Sequence, residues 1–136
     1  MSAHDALMRG VHAALLADPD VGAGVDDRVF DRVPDRARFP YLTYGAATVR
    51  AMDGEGVEQH EFTIDAWSRR RGRAELRAVV AAVRRALAPS RVAVAGQTLV
   101  AFDTVRVEFP DDEGEIERGT IALRAVTMPD TSEGGA

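Results

Sequence analysis

Cysteine is absent from this chain of 136 residues, which excludes a disulfide framework, a thiolate nucleophile and any cysteine-ligated metal. Lysine is absent too: all 17 basic residues are arginine. Arginine's planar fork favours paired, partly buried contacts with carboxylates over simple solvation; a GC-rich coding sequence gives the same bias and is the plainer explanation. No apolar run approaches the roughly 20 residues that span a bilayer. Met1 to Ala17 carries acid and histidine where a signal peptide has a basic start and an apolar core. A soluble, cytoplasmic protein with no membrane partner is expected. Positive charge is in deficit, with 22 acids and a net charge of −5, which argues against general nucleic-acid affinity because phosphate binding needs local positive charge.

Catalytic motifs are missing as well. No G-x-S-x-G elbow surrounds any serine. Gly22-Ala23-Gly24 lacks the third glycine and the lysine of a phosphate-cradling loop and follows no strand. His4 and His12 stand eight residues apart on one expected helix, with no carboxylate cluster to complete a metal site. They and His60 read as surface histidines, with no metal, no cofactor and no enzymatic activity expected. A composition of 46% hydrophobic and 29% charged residues is ordinary for a globular protein. One domain over residues 1–128 is expected, large enough to bury about two-thirds of its unfolded surface. The polar, glycine-rich residues 129–136 read as a disordered tail.

Residues 3–17 have the pattern of an amphipathic helix, with Leu7, Val11, Ala14 and Leu15 on one stripe. Ser2 can cap it, Asp5 suits its first turn, and Asp18-Pro19 stops it. Asp20 to Asp27, with two glycines, reads as a loop. In Arg28 to Gly45 each proline forces the residue before it, Val33 and Phe39, toward extended backbone. Proline also removes a donor, so this segment joins a sheet at an edge or at a strand's first residue. A first long strand is expected over Tyr41 to Val49, then a turn at Asp53-Gly54. In Val57 to Trp67, Phe62, Ile64 and Ala66 alternate with Glu61, Thr63 and Asp65, the signature of a half-buried antiparallel strand. Trp67 falls on the polar side, either as a lid on the core or as an interface anchor.

Arg73 to Leu87 is a second helix with the stripe Leu76, Val79, Val80, Val83 and Leu87, ended by Pro89. A short strand at Arg91 to Ala95, a Gly96-Gln97 turn and a strand from Thr98 suggest a tight hairpin. The strand from Thr98 to Phe109 sets Val105, Val107 and Phe109 against Thr104, Arg106 and Glu108. In Glu115 to Met128, Ile121, Leu123 and Ala125 share a face, and Gly119 marks a candidate bulge. The expected fold is α+β: a mostly antiparallel sheet of about four main strands, with two helices packed on its apolar face. Its core should contain Leu7, Val11, Leu15, Phe62, Ile64, Leu76, Val80, Val83, Val105, Val107, Ile121 and Leu123.

Charge is segregated. Arg69 to Arg85 holds seven arginines and one acid, Glu75, whereas Asp103 to Glu117 holds seven acids and one arginine, Arg106. These segments could pair within one chain, pair between neighbouring copies, or stand as two solvated faces.

Three motifs in order carry a family resemblance: R-V-F-D-R-V-P at Arg28 to Pro34 with F-P-Y-L-T-Y-G at Phe39 to Gly45; Trp67-Ser68-Arg69 with Gly72 and the alanine-rich Ala74 to Leu87; and the closing strand Gly119 to Thr127. Over about residues 3–128 the chain resembles the phage tail completion proteins, also called tail terminators or head–tail joining proteins, which occur in phage-like gene transfer agents too. The resemblance implies a structural virion component without catalytic residues. It implies a homo-oligomeric ring, hexameric in similar proteins, that caps the tail tube, contacts the tail tube protein and joins the head connector or stopper. It also implies DNA passing through the lumen without specific binding, and a location in the cytoplasm during assembly and then in the particle. The interface residues expected from charge and aromatic character are Trp67, Arg69, Arg70, Arg71, Arg73, Asp111, Asp112, Glu113, Glu115 and Glu117. The Arg69–Arg73 cluster should face a protein partner or a neighbouring subunit, since a strongly basic lumen would hold DNA back. The alternative is a small nucleic-acid-binding protein using that cluster, although no aromatic residues interleave it.

Overall fold

The computed structural model describes residues 1–69, 73–110 and 114–131. Helix α1 (Ala3–Ala17) opens on Ser2, whose hydroxyl accepts the Asp5 amide at 3.0 Å, and it buries Leu7, Val11 and Leu15 completely. Asp18-Pro19 does end it, but the pair also starts a second helix, α2 (Pro19–Val25), in place of the expected loop. Asp18 Oδ1 caps α2 by accepting from the Asp20 and Val21 amides. Proline at the first helical position gives up only a donor that would be unsatisfied anyway. Val21 and Val25, one turn apart, are the buried face of α2. Two glycines in seven residues hid that short stripe.

Strand β1 (Val29–Phe30) pairs in parallel with Leu42 and Thr43 of β2 (Tyr41–Ala51). The chain between them holds a cis Phe39–Pro40 bond, and Arg28 Nε donates to the Pro40 carbonyl at 3.0 Å. β2 pairs antiparallel with β3 (Glu58–Arg69), with a bulge where Gly45 and Ala46 oppose Thr63. Any side chain at Gly45 would collide with the Thr63 hydroxyl. Helix α3 (Arg73–Ala86) follows and buries Leu76, Val79, Val80 and Val83. After a 3-10 turn at Pro89–Arg91 come β4 (Gln97–Glu108) and β5 (Ile116–Pro129). The sheet order is β1-β2-β3-β5-β4. The fold is therefore α+β, with a mixed sheet of five described strands and three helices. The expected sheet of about four strands with two helices lacked β1 and α2. All three helices pack on one face of the sheet or on each other, with α2 touching both α1 and α3.

The expected strand at Arg91 to Ala95 does not form. Val92 and Val94 instead bury their side chains in the core, and the Ala93 carbonyl packs against Gly10 of α1, where a side chain would leave no room. The expected core holds except at two positions on β4. Val107 is partly buried against the core, and Val105 is 47% exposed. Pairing shifts register between Leu99 and Ala101 and again between Thr104 and Arg106, so Val100 and Val105 are the extra residues of two bulges. Strict alternation counted along β4 therefore misplaces Val105 and overlooks Phe102, which is buried and packs tilted against Phe62 at 6.2 Å. Gly119 is no bulge, since the pairing of β3 with β5 runs unbroken through Ala66 and Gly119. Its missing side chain makes room for Val80 of α3 and for Phe109.

β5 reaches Pro129, and the Asp130 amide donates to the Gly96 carbonyl at 3.1 Å. Residues 132–136 lie outside the described ones.

Candidate protein–protein interface

Side chains alternate along a strand. On β3 this sends His60, Phe62, Ile64 and Ala66 to the helices and turns Thr63, Asp65 and Trp67 to the opposite face, which no described helix covers. Trp67 therefore does not lid the helix-side core. It stands beside its cross-strand partner Tyr41 on β2, with ring centroids 6.4 Å apart and planes 26° from parallel. Tyr41 in turn meets Phe39 at 5.0 Å and Phe30 at 5.8 Å. The F-P-Y sequence thus builds one end of an aromatic row that Trp67 completes.

Two arginines lie on this row. The Arg69 guanidinium is 4.8 Å from the Phe39 ring centre, and that of Arg118, opposite Trp67 on β5, is 5.5 Å from the Trp67 ring. Such contacts contribute about 0.5–1 kcal/mol each when exposed. Trp67 Nε1 donates to Thr43 Oγ1 at 2.9 Å, and Thr120 Oγ1 donates to Asp65 Oδ1 at 2.5 Å. Rigid aromatics with arginine, held by hydrogen bonds on a sheet, are the composition that dominates protein–protein binding energy.

The two oppositely charged segments meet at the same end of the sheet. Arg73 Nε lies 2.7 Å from Glu117 Oε2, and Arg69 lies 4.0 Å from Glu115. Ser68, fully buried, donates to Glu75 Oε1 at 3.0 Å and ties the strand end to the first turn of α3. Of the expected interface residues, Trp67, Arg69, Arg73, Glu115 and Glu117 are brought together, with the charge pairing falling within one chain. Arg70, Arg71, Asp111, Asp112 and Glu113 lie outside the described residues. Phe30, Phe39, Tyr41 and Arg118 belong to the cluster but were absent from the expected set. The signal that finds them is parity: Tyr41 and Trp67 are the residues flanking the buried Leu42 and Ala66 on paired strands.

On the helix side, a cleft between α1 and β2 is lined by His4, Met8, His12, Asp31 and Tyr44. The Tyr44 hydroxyl lies 2.8 Å from His12 Nδ1, and burial, reinforced by the charge of Asp31, pushes its ionisation far above the usual phenol range. A neutral tyrosine so held is a hydrogen-bonding group. His60 is not on the surface, as the sequence reading had it. It is fully buried, with Nε2 at 2.9 Å from Thr127 Oγ1 and Nδ1 at 3.0 Å from His4 Nδ1.

The chain is similar to a chain in a solved structure of the virion of a native gene transfer agent particle, with a TM-score of 0.82 and 26% sequence identity over 92% of this chain and 96% of that one. No curated protein matches it. The model of the family described as tail completion protein gp17 matches residues 9–128. The match spans most of the chain and marks a structural rather than a catalytic protein; the chain belongs to the tail completion protein gp17 family.

Proposed function

We propose that this protein closes the tail of a phage-like particle as a ring of identical copies, hexameric by analogy, and joins the tail to the head connector or stopper. The observation that carries this reading is the family match over residues 9–128, joined to the likeness to a chain of a gene transfer agent virion. The surface fits the role. An adaptor must hold a second copy, a tail tube protein and a connector protein, and the aromatic row Phe39, Tyr41 and Trp67 with Arg69 and Arg118 gives it a preformed anchor. The Arg118 guanidinium over the Trp67 ring extends this platform toward β5.

The Arg69–Arg73 segment faces protein in this reading, and DNA passes the lumen unbound. Pairing of Arg69 with Glu115 and of Arg73 with Glu117 supports it, because arginines already neutralised by acids release few counterions from DNA. The protein then resides in the cytoplasm during assembly and in the particle afterwards. Deleting the gene tests the proposal: heads that package DNA but carry no functional attached tail are expected. Normal particles from the deletion refute it, and salt-dependent DNA affinity of a purified monomer supports the nucleic-acid alternative instead.

A further inference from the structure

The sheet ends in two open edges of different character. β1 covers β2 only at Leu42 and Thr43, so from Tyr44 to Ala51 no described strand lies along the outer side of β2. At the other side β4 is the last described strand, open from Gln97 to Glu108. An open edge offers a row of unpaired N–H and C=O groups, and proteins that stay monomeric blunt it with lysine, proline, inward-facing charge or bulges; β2 beyond Ala46 has no bulge and β4 has two. The free part of β2 reads Tyr-Gly-Ala-Ala-Thr-Val-Arg-Ala, with no proline and no lysine. Its one charge, Arg50, lies 4.0 Å from Glu61 of β3. β4 carries Val100 at 56% and Val105 at 47% exposure, both in bulges.

Hydrogen-bond parity says which groups on β2 point outward. The Met52 amide donates inward to the Val57 carbonyl at 2.9 Å. Donors alternate along a strand, so Arg50 and Thr48 donate toward β3, while the amides of Ala51, Val49 and Ala47 point out. Before the bulge at Gly45 and Ala46 the parity is reversed, in agreement with Leu42, which donates outward to the Arg28 carbonyl at 2.9 Å.

The two sides are of opposite sign. The free part of β2 carries one arginine, Arg50, whereas β4 carries two acids, Asp103 and Glu108, and one arginine, Arg106.

We propose that neighbouring copies of this chain join edge to edge, with the free stretch of β2 in one copy pairing with β4 of the next, so that the sheet continues across the subunit boundary. This rests on the ring reading above and names the surfaces that make it. Two different edges meeting give a head-to-tail contact, which is what a closed ring requires and a two-fold dimer does not. The ladder from Tyr44 to Ala51 is about 26 Å long at about 3.3 Å per residue. Main-chain hydrogen bonds supply the affinity, and opposite charge selects this pairing over β2 with β2 or β4 with β4, which would set like charges together.

The natural lack of cysteine makes the test free of background. Val49→Cys is mixed with Val100→Cys, or with Val105→Cys, and treated with a short bis-maleimide, while native mass spectrometry of the unaltered protein reports the ring. A covalent dimer from a mixture, and none from any variant alone, is expected. Val49→Pro removes one outward amide and no bond to β3, so it should keep its melting temperature within a few degrees and lose the ring. A ring that forms without mixed crosslinks, that crosslinks within a single variant, or that survives Val49→Pro overturns the edge pairing and leaves the ring reading standing. An unaltered protein that stays monomeric, alone and with tail tube protein, overturns both, and its mass alone identifies that case.

Discussion

His4 of α1 and His60 of β3 lie edge to edge, with planes 13° from parallel, centroids 5.3 Å apart and Nδ1 atoms 3.0 Å apart. A hydrogen bond between two Nδ1 atoms needs one protonated and one bare nitrogen, so two imidazolium rings cannot share this geometry. Burial holds the His60 ionisation below the ordinary histidine range; a charge on His4 pushes it further down, and Glu58 pulls the other way. The other ionisable groups that line the cleft with His4 are Asp5, Arg9 and His12 on α1, Asp31 after β1 and Tyr44 on β2.

The direction of the pH effect follows. A folded-state value below the unfolded one, about 6.5, means that the unfolded chain binds the extra proton more readily. The stabilisation is therefore complete above about pH 6.5 and is lost as pH falls below it. Melting temperature should be flat at higher pH and decline on acidification before the carboxylates titrate. In His60→Gln, which keeps a hydrogen-bonding group without the charge, that early decline should flatten. An unchanged pH slope between about pH 7 and pH 5.5 in the variant would show that the pair is not responsible.

Val80 tests the packing of α3. It is 4% exposed and packs where Gly119 of β5 leaves room. Val80→Asp places a carboxylate there without a partner, at a cost of several kcal/mol or a displaced helix. Insoluble protein, or the loss of a cooperative melt, is expected. A soluble variant with a sharp melt near the parent temperature contradicts this placement of the helix.

Most of this framework was legible where apolar period and chain breaks agree. The stripes of α1 and α3, and the alternation on β3 and β5, each repeat often enough to fix both element and face. What stayed hidden depends on pairs of distant residues. α2 needs only Val21 and Val25 to bury it and begins at a proline that looked like a stop. Val105 leaves the core because the β4 bulge is set by pairing with β5. His60 was legible in principle, since it continues the even-numbered face of Phe62, Ile64 and Ala66; polarity alone suggested the surface. The charge segments were visible, but the pairing of Arg73 with Glu117 needs the fold to bring α3 beside β5.

Trp67 separates stability from assembly. Trp67→Phe keeps a ring beside Tyr41 and loses the bond to Thr43, so it should cost about 1 kcal/mol of stability. Trp67→Ala also removes the platform beneath Arg118 and should weaken assembly or docking by at least tenfold, as truncation of a binding hot spot does. Denaturant melts of the monomer beside sedimentation of the assembled form distinguish the two effects. A Trp67→Ala protein that assembles with unchanged affinity would remove this row from the interface.

The Arg73–Glu117 pair decides how the basic segment is used. Arg73 is half exposed and the Glu117 side chain only 15% so, a setting between an exposed and a buried ion pair, in which losing the partner costs about 1–3 kcal/mol. Arg73→Glu sets two carboxylates together and should lower monomer stability by about that much, with a smaller deficit at high salt. Adding Glu117→Arg restores opposite charge and should restore the melt. Assembly gives the second measurement. If the pair serves only its own chain, the doubly reversed protein assembles as the parent does. If Arg73 also meets an acidic neighbour or partner, as proposed for this segment, the doubly reversed protein folds normally and fails to assemble or to dock. The second result is expected; unimpaired particle assembly by the double variant would leave Arg73 an intramolecular residue.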